Sequence, residues 1–96
     1  MADFVLWPSR KNYQRFRQIM DDGHKLPPTF DGWEKNAKRQ VAHAKKQGFT
    51  IKPVPFDADK FMALCRERRL PCSSEARAVY AVTFGLETAR RDRLAN

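Results

Sequence analysis

The sequence predicts a mainly α-helical single domain: about four helices in two hairpins, with one short strand near residues 49–55. Three observations carry this expectation. Four segments place apolar residues at three- and four-residue steps, proline and glycine punctuate the chain between them, and 96 residues make one domain. Apolar residues make up 42% of the chain and aromatics 11%, which argues for a core and against disorder. A chain this short buries about 60–70% of the surface its unfolded form exposes, so that core is thin.

Residues 2–7 read as a short extended segment, ended by Pro8. Ser9 is placed to cap a first helix running to about Met20, with Tyr13, Phe16 and Met20 on one face and Ile19 flanking it. Asp21-Asp22-Gly23 closes that helix, and Pro27-Pro28 forbids helix in the linker that follows. Thr29 or Asp31 caps the second helix, which runs to about Gln47 and stops at Gly48. Its apolar arc is Phe30, Trp33, Ala37, Val41 and Ala44, at about 100° per residue. Lys35, Lys38, Arg39, Lys45 and Lys46 fall on the opposite arc.

Over 49–56 the pattern changes to alternation. Backbone N–H groups alternate sides along a strand, and Pro53 and Pro55 share a parity. One edge therefore lacks two donors, and pairing must use Thr50, Lys52 and Val54. The strand is an edge strand or half of a ribbon, and its partner is either residues 2–7 or a second copy of the chain. Phe49, Ile51 and Pro53 are expected to face the core, with Thr50, Lys52 and Val54 facing the other way.

Asp57 or Asp59 caps a third helix, Ala58 to about Arg69, whose apolar face is Ala58, Phe61, Met62 and Cys65 with Leu64 beside them. Leu70-Pro71 breaks it. Ser73 or Ser74 opens a fourth helix with Ala76, Val79, Tyr80, Thr83 and Leu86 in register, weakened at Gly85 by about 1 kcal/mol relative to alanine. The stretch from Leu86 to Asn96 either continues as helix through Glu87–Arg91 pairing or frays. Phe16, Trp33, Val41, Ile51, Phe61, Leu64, Val79 and Tyr80 are expected to pack together.

The net charge is +8, from 19 Lys plus Arg against 11 Asp plus Glu, a balance that favours acidic partners. No signal peptide opens the chain and no apolar run approaches a membrane span, so a cytoplasmic protein without a membrane partner is expected. Cys65 and Cys72 are too few for a disulfide framework and are expected as reduced thiols. Catalysis lacks its residue sets. His24 lies in the proline-rich linker and His43 on a charged helix, where histidine is usually a surface residue. Cys65 reads as a small buried hydrophobe, and Cys72 has no base or orienting group in view. Neither CxxC nor HxxxH spacing occurs, and four glycines form no phosphate-cradling loop. Asp21-Asp22 and Asp57-x-Asp59 sit at helix boundaries, where capping and turns explain them. The expectation is a non-enzyme with no metal, cofactor or small-molecule substrate.

The strand, helix, short loop and helix over 49–86 resemble a ribbon-helix-helix domain in their lengths. In that family two chains pair their strands, and outward strand side chains enter the major groove. The resemblance implies Thr50, Lys52 and Val54 as outward residues, with a phosphate held near Ser73 and Ser74. It leaves the first two helices without a counterpart and offers a single lysine for base reading. The charge pattern supports a simpler expectation: a small basic binding module that contacts DNA or RNA phosphates. Lys35, Lys38, Arg39, Lys45 and Lys46 would make that contact from the second helix, and Lys52 from the strand. Trp33 and Tyr13 fall on apolar faces, so base stacking by them is not expected; Trp7 is the one aromatic expected near the surface. The alternative is a protein-interaction or adaptor module that dimerises, or adds a strand, through 49–55.

Overall fold

Two strands and four helices follow one another along residues 2–95, the part of the chain that the computed structural model describes. The order is β1 (Ala2–Trp7), α1 (Tyr13–Ile19), a 3-10 turn (Gly23–Lys25), α2 (Phe30–Lys46), β2 (Thr50–Pro55), α3 (Ala58–Arg68) and α4 (Ser74–Ala95). Asn96, the last residue of the C-terminal stretch, lies outside the described residues; up to Ala95 that stretch is helix, with Arg91 bonded to Glu87 at 2.6 Å.

Helix ends follow local chemistry. The Thr29 hydroxyl accepts the Gly32 N–H at 3.2 Å, so Thr29 caps α2 while Asp31 turns to Arg10 instead. Gly48 stops α2 at φ 92°, where only glycine is unstrained. Asp57 caps α3 by accepting the Lys60 N–H at 3.0 Å. Ser9 and Asn12 cap each other reciprocally, Ser9 N–H to Asn12 Oδ1 and Asn12 N–H to Ser9 Oγ. The residues between them stay in a turn, and the first helix begins only at Tyr13.

β2 finds its partner inside the chain. β1 and β2 run parallel in the register Ala2↔Thr50 to Trp7↔Pro55. In that register the ladder takes its donors from Asp3, Val5 and Trp7 on one strand and from Lys52 and Val54 on the other. Neither proline is asked to donate. Pro53 and Pro55 turn toward the outer edge of β2, where Ile51 is the one residue left with an N–H.

The two faces of this small sheet are covered unequally. α4 crosses the face that carries Phe4, Leu6 and Val54, and α2 lies against the face that carries Val5, Trp7 and Ile51. This reverses the strand's expected orientation: Val54 is 4% exposed, whereas Phe49 is 44% exposed and Pro53 is also on the surface. The reason is tertiary. α4 packs close against its face of the sheet and buries Leu6 and Val54, whereas α2 covers the opposite face only at its own N-terminal end. Phe56 continues the buried parity just beyond β2.

The core is largely aromatic. Phe16 meets Phe56 edge-on at 5.1 Å, Phe56 meets Phe61 at 5.8 Å, Phe61 meets Tyr80 at 5.7 Å and Tyr80 meets Phe84 at 4.5 Å. That chain of rings ties α1, α3 and α4 to the end of the sheet, each pair adding about 0.5–1.5 kcal/mol beyond its buried area. Trp7 packs edge-on against Trp33 at 5.0 Å and anchors the start of α2, so it is half-buried and not a free surface ring. Of the expected core, Phe16, Phe61, Leu64 and Tyr80 are buried, and Trp33 and Val79 pack against it. Val41 and Ile51 instead line an open trough.

Gly85 is where α4 comes closest to β1. A Cβ there would lie 2.3 Å from Cδ1 of Phe4, far inside contact distance. The sequence marks Gly85 only as a weak point in a helix; the fold requires it. Gly85→Ala is therefore expected to lower stability by about 1–2 kcal/mol, because overpacking outweighs the helix-propensity gain. Phe4→Leu in the same chain should recover part of that loss. Urea melts of the two single variants and the double variant measure the coupling.

Candidate nucleic-acid interface

α2 is 17 residues long, and none of its side chains is buried. A rise of 1.5 Å per residue makes it about 25 Å in length. Thr29 and the first-turn Asp31 hold its N-terminus, Trp33 and Phe30 pin that end to the aromatic cluster, and Lys45 and Lys46 complement the dipole at its C-terminus. Beyond Trp33 the helix carries its charged arc into solvent. Lys35, Lys38, Arg39, Lys45 and Lys46 are all exposed.

These five cations differ in how far they are already neutralised. Lys38 faces Glu34 one turn back at 3.5 Å. Lys35, Arg39, Lys45 and Lys46 have no carboxylate within ion-pair distance among the described residues. Lys35, Arg39 and Lys46 fall within about 40° of one another around the axis and span about 16 Å along it. The arrangement is a stripe of point charges without a cavity beneath it, suited to a row of phosphates and to no enclosed ligand.

Lys52 does not join this stripe. Its side chain projects on the α4 side of the sheet, beside Phe4, Gly85 and Thr88. The expected six-residue set is thus five residues on α2 and one on the opposite side of the molecule. Position along the strand could not reveal this, because the face of β2 that meets each helix is decided by packing. Arg10, which the sequence reading left out of the site, stands at the N-terminal end of α2 over the Phe30 ring at 5.0 Å, with its charge met by Asp31 at 2.6 Å.

Other reactive groups show no matching geometry. Burial, with the neighbouring Cys72 thiol second, pushes the Cys65 thiol up to about 11, so it is protonated at neutral pH. No group of three His, Cys, Asp or Glu side chains among the described residues could hold a metal ion. No helix among them is long and apolar enough to cross a membrane. No family model, curated protein or solved structure matches this chain.

Behind the stripe, the apolar arc of α2 and the exposed part of the sheet enclose a trough of about 380 Å³. Its neighbour on the α4 side is bordered by Arg77, which donates two hydrogen bonds to Asp22 at 2.8 and 2.9 Å. That bidentate pair fixes α4 to the 3-10 turn, with side chains only 18% and 29% exposed. The Arg77 hydrogen bonds hold the Asp22 carboxyl below its ordinary value, against a smaller upward push from burial. A depressed folded-state value means that the stabilisation is present above about pH 4 and fades as the pH falls through the folded value. Arg77→Met is expected to cost about 1–2 kcal/mol at neutral pH, reduced from a fully buried pair by the partial exposure. The gap from the unmodified protein should close below about pH 4, as thermal melts across an acid series would show.

Proposed function

We propose that this protein is a small basic binding module that contacts nucleic-acid phosphates through the outward face of α2. The observation that carries the reading is the stripe of Lys35, Arg39, Lys45 and Lys46, exposed and without carboxylate partners on a helix that buries none of its residues. A helix that contributes so little burial is hard to explain by stability alone, and its charge suits a polyanion. The contact is with the backbone and tolerant of sequence, because the stripe consists of point charges and the exposed Phe49 just past its end would stack on any base alike. Lys38 adds to the field while sharing its charge with Glu34. Lys52 lies outside the footprint. The reading takes the protein as a cytoplasmic non-enzyme that needs no cofactor.

Four phosphate contacts on duplex DNA imply a slope of log affinity against log salt of roughly −3 to −4. Fluorescence anisotropy with labelled duplex DNA, single-stranded DNA and RNA, from about 50 to 200 mM salt, measures it directly. Arg39→Ala/Lys46→Ala is expected to flatten the duplex slope by about two, and Lys52→Ala to leave it unchanged. Absence of binding to all three nucleic acids at the lowest salt would reject the phosphate reading.

A further inference from the structure

α4 is apolar on both of its sides. Its inner side, with Tyr80, Ala81 and Phe84, packs into the core against the sheet and α3. On its outer side Glu75, Val79, Val82, Leu86 and Arg90 fall within about 80° of one another around the axis. Val82 is 49% exposed and Leu86 57%, and Phe49 is the only other large apolar side chain exposed among the described residues. Such residues scattered singly need no explanation. Two of the three lie one turn apart on one helix face, flanked by Ala78 and Ala89, and together they form a seam.

Charges of opposite sign bound this seam. Glu75 in the first turn and Arg90 toward the far end are both exposed, and neither has an ion-pair partner among the described residues. They stand about 22 Å apart along the helix. The pattern is symmetric about its midpoint between Val82 and Thr83: Glu75 and Arg90 are equally far from it, and so are Val79 and Leu86. The seam is therefore complementary to its own reverse. Laid antiparallel on a second copy, Val82 meets Val82, each Val79 meets a Leu86 and each Glu75 meets an Arg90. A parallel copy would set like charge against like.

We propose that the outer face of α4 is a self-association surface, where two copies of this chain pair antiparallel about a two-fold axis at Val82. A two-fold contact uses each complementary pair twice. The small side chains of Ala78 and Ala89 beside the seam let the two helix axes approach to about 8–10 Å. An unrelated helix would need both the apolar spacing and the reversed order of charges, and a second copy supplies the two together. The contact does not use the strand at 50–55, which already has β1 as its partner. A seam about 22 Å long buries less than the roughly 1,600 Å² of a standard stable interface, so pairing is reversible and occurs at micromolar concentrations. The net charge of +8 opposes association, but five of the cations sit on α2, across the sheet from the seam. Pairing through α4 leaves both charged stripes free, so this surface does not depend on nucleic-acid binding.

Sedimentation equilibrium of the nuclease-treated full chain, from about 5 to about 500 μM protein at about 150 mM salt, tests the proposal. The weight-average mass is expected to rise from one chain toward two. Val82→Glu and Leu86→Glu, both at exposed positions, should each weaken pairing about tenfold or more, with circular dichroism unchanged. Glu75→Arg alone and Arg90→Glu alone should each weaken it about threefold or more, because every charge pair becomes like against like. A one-to-one mixture of those two chains should pair about as tightly as the unmodified protein, because opposite charges then meet at both ends of the seam. An effect of either substitution on folding would persist in the mixture. The proposal fails if the mass stays that of one chain throughout the range. It fails equally if the Val82→Glu and Leu86→Glu chains associate as the unmodified chain does, or if the mixture associates no better than its components.

Discussion

The parallel pairing of β1 with β2 is the constraint on which the rest of this structure depends, and two prolines decide it. Pro53 and Pro55 remove donors from one side of β2, so the strand can build a ladder on its other side only. That side takes up β1, more than forty residues earlier in the chain. A two-stranded sheet is not stable by itself, and parallel strands need cover on both faces. The chain supplies one helix to each face. α4 approaches so closely that it needs a glycine opposite Phe4, and it buries Leu6 and Val54 on its side. α2 covers its side only around Trp33, and this unequal cover leaves the open surfaces of the molecule.

How much of this was legible in the sequence depended on how local each cause was. The Thr29 and Asp57 caps, the Gly48 stop and the Glu87–Arg91 pair act within a turn of helix, and all could be read from spacing. The need for a single paired edge on β2 was legible for the same reason, because a missing N–H is a property of the residue itself. Which face of β2 would be buried was not. Ile51 and Val54 are both apolar and lie on opposite parities, and in a strand flanked by helices on both sides alternation carries little information. The outcome was settled by α4, whose close approach rests on one glycine thirty residues further on.

The candidate site divides along the same line. The charged arc of α2 was legible because it obeys helical periodicity, and its exposure follows from the same pattern. Lys52 was misplaced relative to that arc because its direction depends on the sheet. Which edge of β1 pairs with β2 carried no sequence signal: residues 2–7 look like any short extended segment until their partner and register are known. Arg77 is similar. Nothing near it in the chain announces Asp22, which lies in the turn that closes α1 and meets it only in the folded molecule.

The unequal cover of the sheet also shapes α2. The helix is held by its N-terminal cap and by Phe30 and Trp33 at the aromatic cluster, while its distal half lies over the trough. That distal half carries Arg39, Lys45 and Lys46, so these cations stand on the part of the helix farthest from its aromatic anchor. One unequal packing choice, made by α4 and its glycine on the other face, thus leaves both the apolar trough and the charged arc of α2 at the surface.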